Sequence, residues 1–138
     1  MDVLIDTNIL IDAAVNRIPF CNASEEILNL CSSNKINGFV SSRSFCDIFY
    51  ILRKDVSVAD RKDFIRTIRG YLGTVIITDP IIEKALDNND ITDFEDAIQY
   101  ACADSVHADY IVTRNVKDYG NSVIKAVTPE DLLELLNH

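Results

Sequence analysis

Four short runs, Val3-Leu4-Ile5, Gly38-Phe39-Val40, Val75-Ile76-Ile77 and Tyr110-Ile111-Val112, carry no charge and are rich in β-branched and aromatic residues. Between them the apolar residues recur with helical spacing. Strands that are apolar on both sides must be covered on both faces, and strands separated by helices pair in parallel. The pattern therefore predicts an α/β chain with a mainly parallel central sheet flanked by helices. Val123-Ile124 is expected as a last short strand. In open sheets of this kind, ligands bind beyond the carboxyl ends of the strands.

The helices are legible from caps and periodicity. One is expected from Thr7 to about Ala14 and a second from Asn22 to Cys31. After Ser41 or Ser42, the recurrence of Phe45, Ile48, Phe49 and Leu52 predicts a third. Ser57 opens a fourth, with Phe64, Ile65, Ile68 and Leu72 inward, and Asp79 caps a fifth with Pro80 at its first position. Thr92 and Glu95 have the spacing of a capping box, and the helix behind them places Phe94, Ala97, Ile98, Ala101 and Cys102 inward. Thr128-Pro129-Glu130 starts a terminal helix bearing Leu132, Leu133, Leu135 and Leu136.

The chain of 138 residues is sized for a single domain over residues 1–138. Its longest apolar run, Ile48 to Leu52, is far below the roughly 18 residues of a membrane span. The start Met1-Asp2-Val3 lacks the basic region of a secretory leader. Cys21, Cys31, Cys46 and Cys102 form no C-x-x-C pair, so reduced and mostly buried thiols in a cytoplasmic protein are expected. Only two histidines are present, which argues against zinc. A net charge of −9 rules out gripping nucleic acid through bulk charge, so either the partners are not polyanions or the acids are gathered for a purpose such as metal binding.

Several acids fall where the sheet rule points. Asp6 ends the first strand, where a helix cap is its ordinary role. Asp47 lies among Phe45, Cys46, Ile48, Phe49, Tyr50 and Ile51, so its helix is expected to be buried around most of its circumference. A carboxylate there needs a cation, supplied by Arg43, by Arg53 or by a metal. Asp93 and Asp96 share a face at the start of the helix after Thr92, where acids also suit the helix dipole. Beyond the fourth run, Thr113, Asn115 and Asp118 offer oxygen atoms in a segment that is also a good turn. Brought to one sheet edge, these acids would repel one another unless neutralised. An all-oxygen donor set suits Mg²⁺ or Mn²⁺, and such a site can hydrolyse phosphodiesters.

Lys62, Arg66 and Arg69 form one stripe on the fourth helix, either a solvated face or an edge for phosphates, to which Arg114 and Lys117 could add. His107 and His138 have no partners at ligand or triad spacing.

Four segments in order, Leu4-Ile5-Asp6-Thr7-Asn8-Ile9-Leu10, Ser41 to Leu52 around Asp47, Asp93-Phe94-Glu95-Asp96-Ala97 and Ala108 to Asn115, resemble the PIN domain of VapC-type toxins. The resemblance implies a PIN-like three-layer sandwich and a Mg²⁺- or Mn²⁺-dependent endoribonuclease. It implies that Asp6 is the first metal ligand and Asp96 the later helical acid. Asp47 stands where many members carry Glu. Asn115 stands where many carry a fourth Asp, with Asp118 three residues beyond. The family's setting implies a homodimer and an antitoxin protein that blocks the acidic groove. Two other functions compete. One is a non-catalytic PIN-like module binding RNA or protein, suggested by Asp47 and Asn115. The other is an aspartyl phosphatase with Asp6 as nucleophile, which the Asn8 two residues on disfavours.

Overall fold

Five strands pair in the order β3-β2-β1-β4-β5, every pairing parallel, in the computed structural model, which describes residues 1–120 and 122–137. His138 lies outside the described residues. The strands are β1 (Asp2–Ile5), β2 (Asn37–Ser41), β3 (Gly73–Val75), β4 (Tyr110–Val112) and β5 (Lys125–Val127). The helices are α1 (Thr7–Ala14), α2 (Cys21–Ser32), α3 (Ser42–Ile51), α4 (Val58–Arg69), α5 (Asp79–Leu86), α6 (Phe94–Ser105) and α7 (Pro129–Leu136).

The side-chain alternation of β1 builds the three layers. Val3 and Ile5 face one side, packing with Ile9 of α1, Ile27 of α2, Ile48 of α3, Ile68 of α4 and Leu132 of α7. Leu4 faces the other, with Ile81 of α5, Ala97 and Ile98 of α6 and Ile111 of β4. Each such fully buried side chain contributes about 1.5–3 kcal/mol. The expected α/β sandwich is thus observed, with a sheet that is parallel throughout. No described helix is long and apolar enough to cross a membrane.

The differences from expectation have local causes. Strand β3 ends at Val75, and Ile76 is exposed, because its partner β2 stops at Ser41, opposite Val75, and turns into α3. It begins at Gly73, where the Phe39 ring lies so close that a Cβ would stand 2.7 Å from it. The last strand is Lys125–Val127, the segment in register with β4, and Val123 is exposed. Helix α3 is not buried around its circumference: Cys46, Tyr50 and Ile51 are exposed. The Cys46 thiol is therefore not a core group, whereas burial pushes Cys31 up to about 12 and Cys102 up to about 11. Phe94 is exposed rather than inward, and Leu135 on the terminal helix is exposed too. The cap of α5 is Thr78, which puts Pro80 at the second helical residue.

The chain runs outward from β1 to β3, then returns to the other side of β1 for β4 and β5. The order therefore reverses between β1 and β4, and a crevice opens at their carboxyl ends. Ile5 pairs with Val112, so the next residues, Asp6 and Thr113, emerge side by side.

Candidate active site

Asp6 is held from four directions. As cap of α1 it accepts the Thr7 N–H on Oδ1 at 2.8 Å, and Gln99 Nε2 donates to the same oxygen at 3.1 Å. On Oδ2 it accepts the Thr113 hydroxyl at 2.8 Å and the Tyr119 hydroxyl at 3.2 Å. Both oxygens thus have two donors, which locks the orientation of the carboxylate. Tyr119 is almost wholly buried. Burial first, and then the charges of Asp6 and Asp96, push its hydroxyl well above the ordinary tyrosine range, so it stays a donor.

Thr113 is the hub behind this carboxylate. Its Oγ1 also accepts the Asn115 N–H at 3.0 Å and Asn8 Nδ2 at 3.3 Å, while Asn8 Oδ1 accepts the Arg114 N–H. The end of β4 is therefore tied to the start of α1.

Asp6, Asp47 and Asp96 line one small cavity of about 50 Å³ with Ser41, Arg43, Glu95, Ile98 and Gln99. At one probe volume of roughly 10–15 Å³ each, it has room for a few waters or a hydrated cation. Asp96 is pushed up to about 7, first by burial and then by the charges of Asp93, Asp118, Asp6 and Glu95. A carboxyl raised by burial and four neighbouring carboxylates marks a place where positive charge is wanted.

Arg43 supplies part of that charge. Its Nη2 donates to Glu95 at 2.6 Å and its Nε lies 3.5 Å from Asp47, so it bridges α3 and α6 across the cavity mouth. Asp47 has the ion pair expected of it, but half-exposed rather than buried. Arg53 instead lies over the Tyr50 ring.

The remaining sequence-selected residues lie around this cavity or away from it. Asp93 is exposed and caps α6, accepting the Asp96 N–H at 3.1 Å; it takes the place expected of Thr92 and leaves Glu95 free for Arg43. Asn115 and Asp118 are exposed and do not line the cavity, though the Asp118 charge is felt at Asp96. Arg114 is turned into the protein, paired with the buried Asp12 and lying over the Phe20 ring. Lys62, Arg66 and Arg69 lie exposed on α4, with Arg66 paired to Asp63, and Lys117 is exposed. His107 is exposed, in a left-handed turn.

Sequence reasoning missed Gln99 and Tyr119. Gln99 carried a faint signal as a polar residue one turn past Asp96 inside an apolar face. Tyr119 carried none.

Among the described residues no three histidine, cysteine or acidic side chains converge closely enough to grip a metal ion. That excludes a dedicated all-protein cage, but not Mg²⁺, which keeps several waters and takes one or two carboxylates. The donors present fit that mode: they are oxygens, Asp6, Asp47 and a raised Asp96 line one cavity, and among the described residues the buried Gln99 Oε1 has no hydrogen-bond partner.

Solved structures of similar fold come from bacterial toxin–antitoxin systems. A toxin–antitoxin complex from Klebsiella pneumoniae superposes with a TM-score of 0.70 at 23% identity, covering 92% of this chain and 97% of that one. VapBC2 from Rickettsia felis, bound to a DNA fragment from its promoter, gives 0.71 at 15% identity, over 93% and 98%. Mycobacterium tuberculosis VapC20, a sarcin-ricin loop cleaving toxin, gives 0.63 at 12% identity, over 79% and 86%. A search of curated proteins finds no significant match. The sequence itself matches the PIN domain family model over residues 2–117, a span that takes in the carboxylates of the cavity wall and the Thr113 hub behind them. The chain belongs to the PIN domain family.

Proposed function

We propose that this protein is a Mg²⁺- or Mn²⁺-dependent endoribonuclease and the toxin of a toxin–antitoxin pair. The observation that carries the reading is the pairing of a rigidly held Asp6 with an Asp96 whose affinity for a proton is raised, on one small cavity at the switch point of the sheet. In this reading Asp6 and Asp96 hold the cation and Asp47 reaches it through water. Asp118 or Asn115 supplies a fourth oxygen, and Asp93 adds outer charge. A divalent cation, when bound, lowers the pKa of a water and offsets charge on the phosphodiester oxygens.

The protein's own groups do the rest. Thr113, Tyr119 and the α1 amide keep Asp6 aimed at the cavity. Arg43, at the mouth, meets a phosphate. The Lys62, Arg66 and Arg69 stripe, with Lys117, extends the strand's path, and Arg114 acts by holding the loop after β4. The similar structures support the rest of the proposal. One is a sarcin-ricin loop cleaving toxin and another a toxin–antitoxin complex, which favours an RNA substrate and an antitoxin partner. A homodimer in the cytoplasm completes it.

The phosphatase reading fares worse. That chemistry wants a second acid two residues after Asp6, and position 8 is Asn8, held by Thr113 and the Arg114 N–H. A non-catalytic module is the remaining rival. Purified protein incubated with single-stranded RNA and Mn²⁺ should cut it, lose activity with a chelator, and lose it again in Asp96→Asn. Intact RNA under all conditions would leave only the binding module.

A further inference from the structure

Gln99 stands one helical turn past Asp96 on α6 and is 8% exposed. Its two amide ends have unequal fates. Nε2 donates to Asp6 Oδ1 at 3.1 Å, while Oε1 is buried with no hydrogen-bond partner. Native proteins seldom bury an amide oxygen unpaired, and an ion or water that completes the site is a recurrent reason when they do. The side chain lines the same cavity as Asp6 and Asp96.

We propose that Gln99 belongs to the cation site and that its amide turns over on loading. Without a cation, the NH₂ group lies on Asp6 and stands in for positive charge. With one, Oε1 takes that place and joins Asp6 as an oxygen ligand. This rests on the metal-dependent reading above.

Three arguments support the turnover. The two ends of a glutamine amide have nearly the same shape, and its terminal torsion is broad and roughly two-fold, so exchanging them asks little of the surroundings. Adjacent oxygens on an octahedral Mg²⁺ with bonds of 2.0–2.1 Å lie about 3 Å apart. The amide already sits at that spacing from Asp6 Oδ1. Finally, an oxygen beside a carboxylate oxygen is repelled unless a cation lies between them, so loading selects the turned-over state and unloading reverses it. Because no three acidic side chains converge among the described residues, a neutral oxygen has a vacancy to fill in the ligand set.

The sign of one affinity change decides the matter. Chelator-stripped full-length protein is titrated with Mn²⁺ by calorimetry and melted with and without Mn²⁺. If Gln99 is a ligand, Gln99→Leu binds Mn²⁺ about tenfold or more weakly, and Gln99→Glu binds it more tightly, with a lower cation-free melting temperature and a larger Mn²⁺-induced rise. If the amide merely competes with the cation for Asp6, its loss in Gln99→Leu frees a lone pair. Equal or tighter binding would then overturn the proposal and leave the nuclease reading standing. Should Gln99→Leu fail to fold, the side-chain amide resonances of ¹⁵N-labelled wild type, assigned by their absence in Gln99→Glu, must shift on Mg²⁺ titration. Unmoved resonances overturn the proposal. A wild type that binds no Mn²⁺ overturns both readings.

Discussion

Arg114 clasps Asp12 from far along the chain: its Nε and Nη2 meet the two carboxylate oxygens at 2.5 and 3.2 Å, and the Asp12 side chain has no exposed surface. The pair joins the middle of α1 to the loop after β4. The residues at the start of each segment, Asp6 and Thr113, form the wall behind the cavity. Arg17, 3.6 Å from Asp12, adds a second and more exposed cation.

Breaking this pair should cost up to about 3–5 kcal/mol, because Arg114→Ala leaves the buried Asp12 only the more exposed Arg17, and Asp12→Ala leaves the part-buried Arg114 without its partner. Asp12→Ala and Arg114→Ala are each expected to show that loss in urea denaturation. Arg114→Lys keeps the charge but not the fork and should fall between. The double variant should be less damaged than the sum of the two. Strict additivity would mean that the clasp carries no coupling.

Asp6→Asn should abolish RNA cleavage and cost stability by about 1–3 kcal/mol while keeping the fold. An amide offers one acceptor oxygen where the carboxylate offers two. The Thr7 N–H and Gln99 Nε2 cannot become acceptors, so the Asn oxygen must face them. Its NH₂ then faces two hydroxyls, of which Tyr119 can rotate to accept, while Thr113 Oγ1 already accepts from Asn115 and Asn8. Thermal melting together with an RNA cleavage assay checks both halves. Wild-type cleavage would remove Asp6 from the site.

Asp96 sets a pH dependence for the cation-free protein. Its folded pKa of about 7 lies above the ordinary carboxylate value, so between the two the native state holds a proton that the unfolded chain has lost. The stabilising contribution is full below the ordinary value and is lost as pH rises toward 7. Asp96→Asn removes this titration. Its advantage in melting temperature over wild type, measured in chelator, should be larger at about pH 8 than at about pH 5.5. A constant difference would mean that Asp96 titrates normally.

How far these features were visible in the sequence follows the range of each interaction. The strand-to-helix switch at Asp6 and the extent of α1 are local, written in an apolar run, an acid and a helical period, and they were legible. So were β1, β4 and the Ser57 cap, whose hydroxyl accepts the Asp60 N–H. The setting of Asp47 was misjudged because an apolar helix face shows only that it is apolar. In α3 part of that face, at Tyr50 and Ile51, is left exposed. The cap at Asp93 was hidden by Thr92, an equally good capping residue one position earlier. The roles of Gln99 and Arg114 could not be read, because each acts through a partner about a hundred residues away that only the sheet topology brings near.

The α4 stripe makes a separate prediction. Lys62→Glu, Arg66→Glu and Arg69→Glu together should weaken RNA binding and flatten its salt dependence. Each lost phosphate contact on a single strand removes about 0.7 from the log–log slope, so up to about 2 in total. Binding measured across a salt series checks this. Because the three side chains are exposed, folding should be unaffected. An unchanged affinity and slope would make the stripe a solvated face.

The fourth oxygen of the site divides Asn115 from Asp118, and charge separates them. Asp118 already acts on both Asp96 and Tyr119, while Asn115 brings no charge and faces solvent. If Asp118 serves the cation, Asp118→Asn relieves repulsion in the empty cluster and weakens it for a loaded one. The cation-free melting temperature should rise and the Mn²⁺-induced increase should shrink. A tenfold loss of affinity is about 1.4 kcal/mol, or roughly 3–5 °C for a domain of this size. Asn115→Asp adds a charge at nearly constant shape, but in the exposed turn, where solvent screens it. Its effect on the Mn²⁺ shift should be smaller than that of Asp118→Asn and opposite in sign. Four pairs of melting curves, wild type, the two single variants and the charge swap Asn115→Asp with Asp118→Asn, decide the assignment. A swap that restores the full Mn²⁺ shift would move the fourth ligand to position 115, and a swap that stays as weak as Asp118→Asn keeps it at Asp118.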